Sequence, residues 1–257
     1  MHVELHVSAA TLIAFLLVLA RMMGVFVFVP LPIKQAGPSL SRVVLALGCT
    51  IALYSRWPRL DSPELTLTST VALMVTDAAL GSAIGLLVSF LSEAFTAGAQ
   101  SLALQAGYGY ASVIDPTTQA DSDVLAVIAQ LLAGLFFFTA NLHRFLIKVL
   151  ADSLETFPPG TFKLTQHLAR EVVRTGSGIF SFGLRLALPI IGLLLMTEIT
   201  LALLGRVNAQ LHLGMHAFPV KMLLTLVALS SILAVTPHLY SAYAEEVLGS
   251  IRRNFTR

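Results

Sequence analysis

Charged side chains that interrupt apolar runs are the residues of this chain most able to do chemistry. Arg21, Asp77, Arg185 and Glu198 lie inside such runs, and Glu93, His143 and Lys221 lie at the edges of others. An ionisable group in hydrocarbon is costly and turns toward protein or water. Two uses fit the residue types. Asp77, Glu93 and Glu198 could pass protons or ions along a relay, as in a transporter. Equally, they could pair structurally with Arg21 or Arg185. For Lys221, a carboxylate on a partner subunit is a better expectation than lipid contact. Two histidine pairs, His2/His6 and His212/His216, have the spacing of one helical turn. Such a pair holds zinc only with a third ligand and an ordered outer shell. The first pair is near the terminus and the second has no carboxylate close in sequence, so solvated polar residues are expected and no metal site. No H-E-x-x-H, G-x-S-x-G, P-loop or G-x-G-x-x-G occurs, and neither catalysis nor a cofactor is expected.

The surroundings of these residues set the class. Of 257 residues, 56% are hydrophobic and 12% are charged, with a mean hydropathy of +0.83. Soluble domains carry about 25% charged residues, so the composition is that of a membrane protein. A net charge of +2 without a basic stripe argues against nucleic-acid binding. Cys49 is the only cysteine, which excludes an intrachain disulfide. Residues Met1–Val7 carry a glutamate and two histidines where a signal peptide has a basic region, so the first apolar stretch is expected to be retained.

Six apolar segments stand out, at about 9–30, 43–55, 71–92, 124–142, 178–204 and 222–240. Most approach the ~20 residues that cross a bilayer as a helix; the second is short. They are continuously apolar rather than alternating, and lipid admits only helices or closed barrels, so an all-α membrane protein is expected. Pro30, Pro189 and Pro219 interrupt or end these helices. "SEAFTAGAQSLALQAG" (Ser92–Gly107) is too polar to face lipid and rich in small residues, which suggests a helix packed against other helices. Either an ordinary polytopic protein or a subunit enclosed by partners would fit.

With six spans, Arg56, Arg59, Arg144, Lys148, Lys163, Arg170, Arg174, Arg252, Arg253 and Arg257 fall on one side. The opposite connections hold Lys34, Arg42, Arg206 and Lys221. The positive-inside bias then places the C-terminal tail in the cytoplasm. "GYGYASVIDPTTQADSD" (Gly107–Asp123) has no lysine or arginine and falls on the far side. As residues alone, it is an acidic loop with a turn at Asp115-Pro116.

Several stretches together resemble the FliR-type subunit of the flagellar type III export gate. "LARMMGVFVFVPLP" (Leu19–Pro32) is similar to its R-x-x-G-x-F-x-x-x-P opening. "GLRLALPIIGLLL" (Gly183–Leu195) and "LLGRVNAQLHLGMHAFPVK" (Leu203–Lys221) resemble two later segments, and Gly107–Pro116 resembles its G-x-S/G-x-A-x-x-x-D-P loop. Departures are Ala209 for proline, His216 for an aliphatic residue, Ala217 for glycine, and the tyrosines Tyr108 and Tyr110. The resemblance implies a FliP-like part over about 1–177 and a FliQ-like hairpin with a basic tail over about 178–257. It implies a flagellar basal-body subunit of the bacterial inner membrane. Partners would be FliP-, FliQ-, FlhB- and FlhA-type components, with unfolded proteins exported through the channel. A virulence-type injectisome homologue is also compatible. It further implies that Gly107, Tyr108, Gly109, Tyr110, Ala111, Ser112, Val113, Ile114, Asp115, Pro116 and Thr117 line and plug the closed channel. The alternative from another class is a stand-alone transporter of ions or small molecules. Against it, "GYGYASVIDP" has no counterpart later in the chain, where a transporter often shows two similar halves.

Overall fold

The computed structural model describes residues 9–29, 40–58, 66–108, 124–158, 161–163, 165–207, 217–232 and 236–255. Among these every regular element is helical, as expected of continuous apolar runs. The helices are α1 (Ala9–Phe28), α2 (Leu40–Ala52), α3 (Leu67–Ala106), α4 (Val124–Thr139), α5 (Leu142–Thr156), α6 (Gln166–Val207), α7 (Ala217–Ile232) and α8 (Thr236–Phe255), with a short 3-10 turn at Tyr54–Arg56.

Where described, the six apolar segments are mostly helical, and three helices, or five counting bent pairs, are long and apolar enough to cross a membrane. Residues 71–92 and the polar stretch that follows form one 40-residue helix, α3. At 1.5 Å per residue it runs about 60 Å, twice a hydrocarbon core of about 30 Å. The 42-residue α6 is similar and carries Pro189 inside it, which removes the backbone bond to the Arg185 carbonyl. Helices α1, α3 and α6 are each long and apolar enough to cross a membrane. Leu125–Thr139 with Leu142–Thr156, and Ala217–Ser231 with Thr236–Phe255, reach that standard only as pairs. Helix α2, at 13 residues, is too short.

The chain folds into two compact units interleaved in sequence: Met1–Ser89, Phe137–Gly176 and Glu246–Arg257 form one, Phe90–Phe136 and Ser177–Glu245 the other. In the first, α1 crosses α3 with their backbones almost touching. A methyl group at Gly81 would lie 2.0 Å from the Arg21 carbonyl oxygen, one at Gly85 2.5 Å from that of Val25, and one at Gly24 2.4 Å from that of Ala78. Only glycine permits that approach. In the second unit α3 meets α6 where a Cβ on Gly98 would fall 2.9 Å from the Gly183 oxygen. Around that crossing Phe95 packs on Phe182 and Tyr240, each with centroids 5.3 Å apart, and Phe182 stacks on Tyr243 at 4.7 Å. The aromatic rings supply the dispersion contacts that the small residues leave out.

Candidate functional site

Each unit holds one ion pair formed by charged residues that interrupt or edge the apolar runs. In the first, the close crossing of α1 and α3 leaves Arg21 fully buried, 0% exposed, beside the similarly buried Asp77. Arg21 Nη2 donates to Asp77 Oδ1 and, at 2.9 Å, to the Phe157 carbonyl. Its Nη1 donates to the Ser153 carbonyl at 2.8 Å and lies 3.4 Å from the Ser153 hydroxyl. The Ser153 carbonyl also accepts from Phe157 N at 3.0 Å, so the guanidinium shares the last backbone bond of α5 and adds a donor to the Phe157 carbonyl beyond it. One arginine thus ties α1, α3 and the end of α5 together. The fork geometry suits the task; lysine, a point donor, could not bridge all three.

In the second unit, Lys221 in the first turns of α7 lies 3.1 Å from Glu198 of α6. An anion for Lys221 is thus available within the chain, where the sequence reading looked to a carboxylate of another subunit. A lysine followed by an apolar helix accepts whichever anion its own fold supplies, and α6 supplies one. Glu198 remains half exposed, its side chain at 53%. Glu93 and Arg185 are exposed and make no ion pair among the described residues.

The end of α3 is closed by Gly107 at φ +87°, a left-handed conformation that favours glycine. Tyr108 N donates to Ala103 O at 3.0 Å and Gly107 N to Leu104 O at 3.3 Å, the double bond of a Schellman cap. The Phe218 ring of α7 lies against Gly107, where a Cβ would approach it to 2.7 Å. Tyr108 Oη donates to the Met222 carbonyl at 3.2 Å, and burial pushes the phenol's pKa up, which keeps it a donor. Gly107 and Tyr108 are thus seated on the first turns of α7. Gly109, Tyr110, Ala111, Ser112, Val113, Ile114, Asp115, Pro116 and Thr117 lie outside the described residues, as do both histidine pairs.

The sequence pattern of bacterial export proteins, family 1, matches residues 12–247. The chain belongs to this family. Among similar proteins are two named flagellar biosynthetic protein FliR. That of Escherichia coli K12 is 31% identical over 91% of this chain and 87% of its own length. That of Pectobacterium carotovorum is 32% identical over 78% and 79%. A FliR of Bacillus subtilis shares 24% identity across 90% of this chain and 92% of that protein. The family match takes in both polar sites, and it supports the resemblance read from the motifs.

In this export-family chain the sequence motifs and the structural joints coincide only partly. Arg21 and Gly24 belong to the opening motif, and both serve the α1–α3 crossing. Ser153 and the Phe157 carbonyl were not singled out in sequence, and a serine near a helix end gives no signal of its own. Gly81 and Gly85 were not singled out either, although their G-x-x-x-G spacing in an apolar helix is a signal of close helix packing.

Proposed function

We propose that this chain is a non-enzymatic subunit of the flagellar type III protein export gate, helping to form and to close the channel for unfolded substrates. The observation that carries the reading is the family match across 12–247 together with relatives named FliR that align over most of both chains. The helical fold, with polar residues buried inside apolar helices, supports a role that is structural. Nothing in the fold or the relatives favours a stand-alone transporter. The chain sits in the bacterial inner membrane with its C-terminal tail in the cytoplasm, as the distribution of arginine and lysine supports. FliP- and FliQ-type subunits surround it, with FlhB- and FlhA-type components nearby. The part up to about residue 177 is FliP-like and the remainder FliQ-like.

Gly107 to Thr117 closes the channel in this reading, and the seating of Gly107 and Tyr108 on α7 gives such a plug a fixed root. Two experiments test it. A tagged copy should bring FliP- and FliQ-type subunits out of detergent-solubilised membranes; recovery of the chain alone would overturn the gate assignment. Deleting Tyr110 to Pro116 should leave assembly intact and let small ions leak. A shut state favoured by a few kcal/mol is open roughly 0.1–10% of the time, so losing about 1.4 kcal/mol of contact raises that population about tenfold. An assembled, impermeable deletion variant removes the plug.

A further inference from the structure

The part of α3 within the second unit has two unlike sides. Ala94, Phe95, Ala99, Leu102, Ala103 and Ala106 are buried. On the other side Glu93, Gln100 and Leu104 are exposed and Ala97 is half-buried, stacked at helical intervals into one narrow stripe. The hydroxyls that flank it are satisfied by their own helix: Thr96 Oγ1 donates to Ser92 O at 3.1 Å and Ser101 Oγ to Ala97 O at 2.9 Å. What the stripe offers outward is therefore one carboxylate, one carboxamide, a methyl and a leucine. Glu93 and Gln100 have no hydrogen bond or ion pair with other described residues.

Three environments can cover such a stripe. Lipid does not suit it, since a carboxylate and an amide in hydrocarbon are costly without partners. Earlier in the same helix the exposed residues include Leu67, Val71 and Val75, which lipid accepts without penalty. A tightly bound subunit does not suit it either. Stable interfaces centre on aromatic or arginine anchors in desolvated pockets, and the stripe holds none. Ordinary solvent-facing surfaces intersperse both signs of charge, yet the sequence from Leu60 to His143 contains no lysine or arginine at all. A wetted surface without cations, with little for any particular sequence to grip, fits an extended polypeptide that must pass without being held.

We propose that the stripe Glu93, Ala97, Gln100 and Leu104 is a wall wetted by channel water and touched by the unfolded chain in transit. The proposal rests on the export reading above and can fail without it. The test uses assembled gates in native membranes, in a Cys49→Ala background, with Ala97→Cys, Gln100→Cys or Val75→Cys. A charged, membrane-impermeant thiol reagent and a substrate stalled by fusion to a stably folded domain are the probes. Positions 97 and 100 should react and position 75 should not. The stalled substrate should abolish that reaction, and a cysteine in its transiting segment should form a disulfide with either position once a mild thiol oxidant is added to take up the two electrons. Ala97→Cys adds little volume and serves if Gln100→Cys disturbs assembly. Unreactive thiols at 97 and 100 would mean lipid or a subunit covers the stripe. Reaction indifferent to the stalled substrate, with no disulfide, would mean bulk solvent. Either result overturns the wall. Secretion that persists after deletion of the whole chain would instead overturn the export reading.

Discussion

The Arg21–Asp77 and Lys221–Glu198 pairs join the same kinds of group in surroundings that differ in almost every respect. The first lies where two helices touch backbone to backbone, and its guanidinium is also bonded to two carbonyls of a third segment. The second joins a largely covered ammonium to a carboxylate half open to its surroundings. Burial makes the first pair a fixed joint: Arg21 is the only hydrogen-bond partner of Asp77 among the described residues, and carbonyls alone leave the guanidinium's charge uncompensated. Exposure makes the second adjustable, since water or another anion can replace either member. The buried pair therefore reads as scaffold, and the exposed pair as part of a region able to shift.

The largest effect should come from splitting the buried pair. Arg21→Ala leaves Asp77 uncompensated in an apolar interior, and breaking such pairs costs about 3–5 kcal/mol. The yield of folded chain in purified complexes should fall severely. Arg21→Lys should recover only part of it, since one ammonium cannot bond the end of α5 and hold Asp77 together. Replacing both members, Arg21→Met with Asp77→Leu, should do better than either single change. A double variant as poor as Arg21→Ala would mean that the carbonyl bonds, and not the charge balance, hold the site.

Next in size is the crossing that brings the pair together. Gly81→Leu would push a side chain into the α1 backbone, where even a Cβ meets the Arg21 oxygen at 2.0 Å. Overpacking of this kind costs typically about 1–3 kcal/mol, sometimes more. The thermal midpoint of the purified complex should drop. Gly48→Leu, with nothing within 4 Å of its Cβ position, should leave it nearly unchanged.

How much of this could be read from sequence follows from the range of each interaction. Helices were legible because a continuous apolar run is a local feature, and so was the misfit of Ser92–Gly107 with lipid. The fusion of that stretch with residues 71–92 into one helix was less visible, because Ser92 and Glu93 look like a boundary. Asp77 stands 56 residues from Arg21, and Arg185 offered an equally good cation in sequence. Geometry chose Arg21: Gly24, Gly81 and Gly85 bring α1 within reach of Asp77. For Lys221 the sequence pointed to a needed anion but not to its source, since Glu198 lies on another helix.

A smaller effect is expected at the root of the loop. Gly107→Ala forces a Cβ into a left-handed conformation, about 1–2 kcal/mol, and against the Phe218 ring. Tyr108→Phe removes one hydrogen bond, of the order of 0.5–1.5 kcal/mol. Both should loosen the seat of α3 on α7 without preventing assembly, and both should raise ion leak through the assembled gate. Unchanged leak in Tyr108→Phe and Gly107→Ala alike would separate this seat from closure of the channel.

The smallest effect should be at Lys221, and its pattern matters more than its size. Exposed or half-exposed pairs contribute about 0–1 kcal/mol and are screened by salt. Lys221→Arg should therefore be nearly silent, while Lys221→Glu places two carboxylates together and should weaken recovery of the complex mildly, more at low salt than at high. The decisive variant exchanges the charges, Lys221→Glu with Glu198→Lys. If the intrachain pair is what Lys221 serves, the exchange restores recovery and removes the salt dependence that the single change introduced. If a neighbouring subunit's carboxylate also relies on Lys221, the exchange leaves that group facing a glutamate, and recovery stays as low as in the single variant. Comparing the two variants at two salt concentrations thus decides whether the adjustable pair is private to this chain.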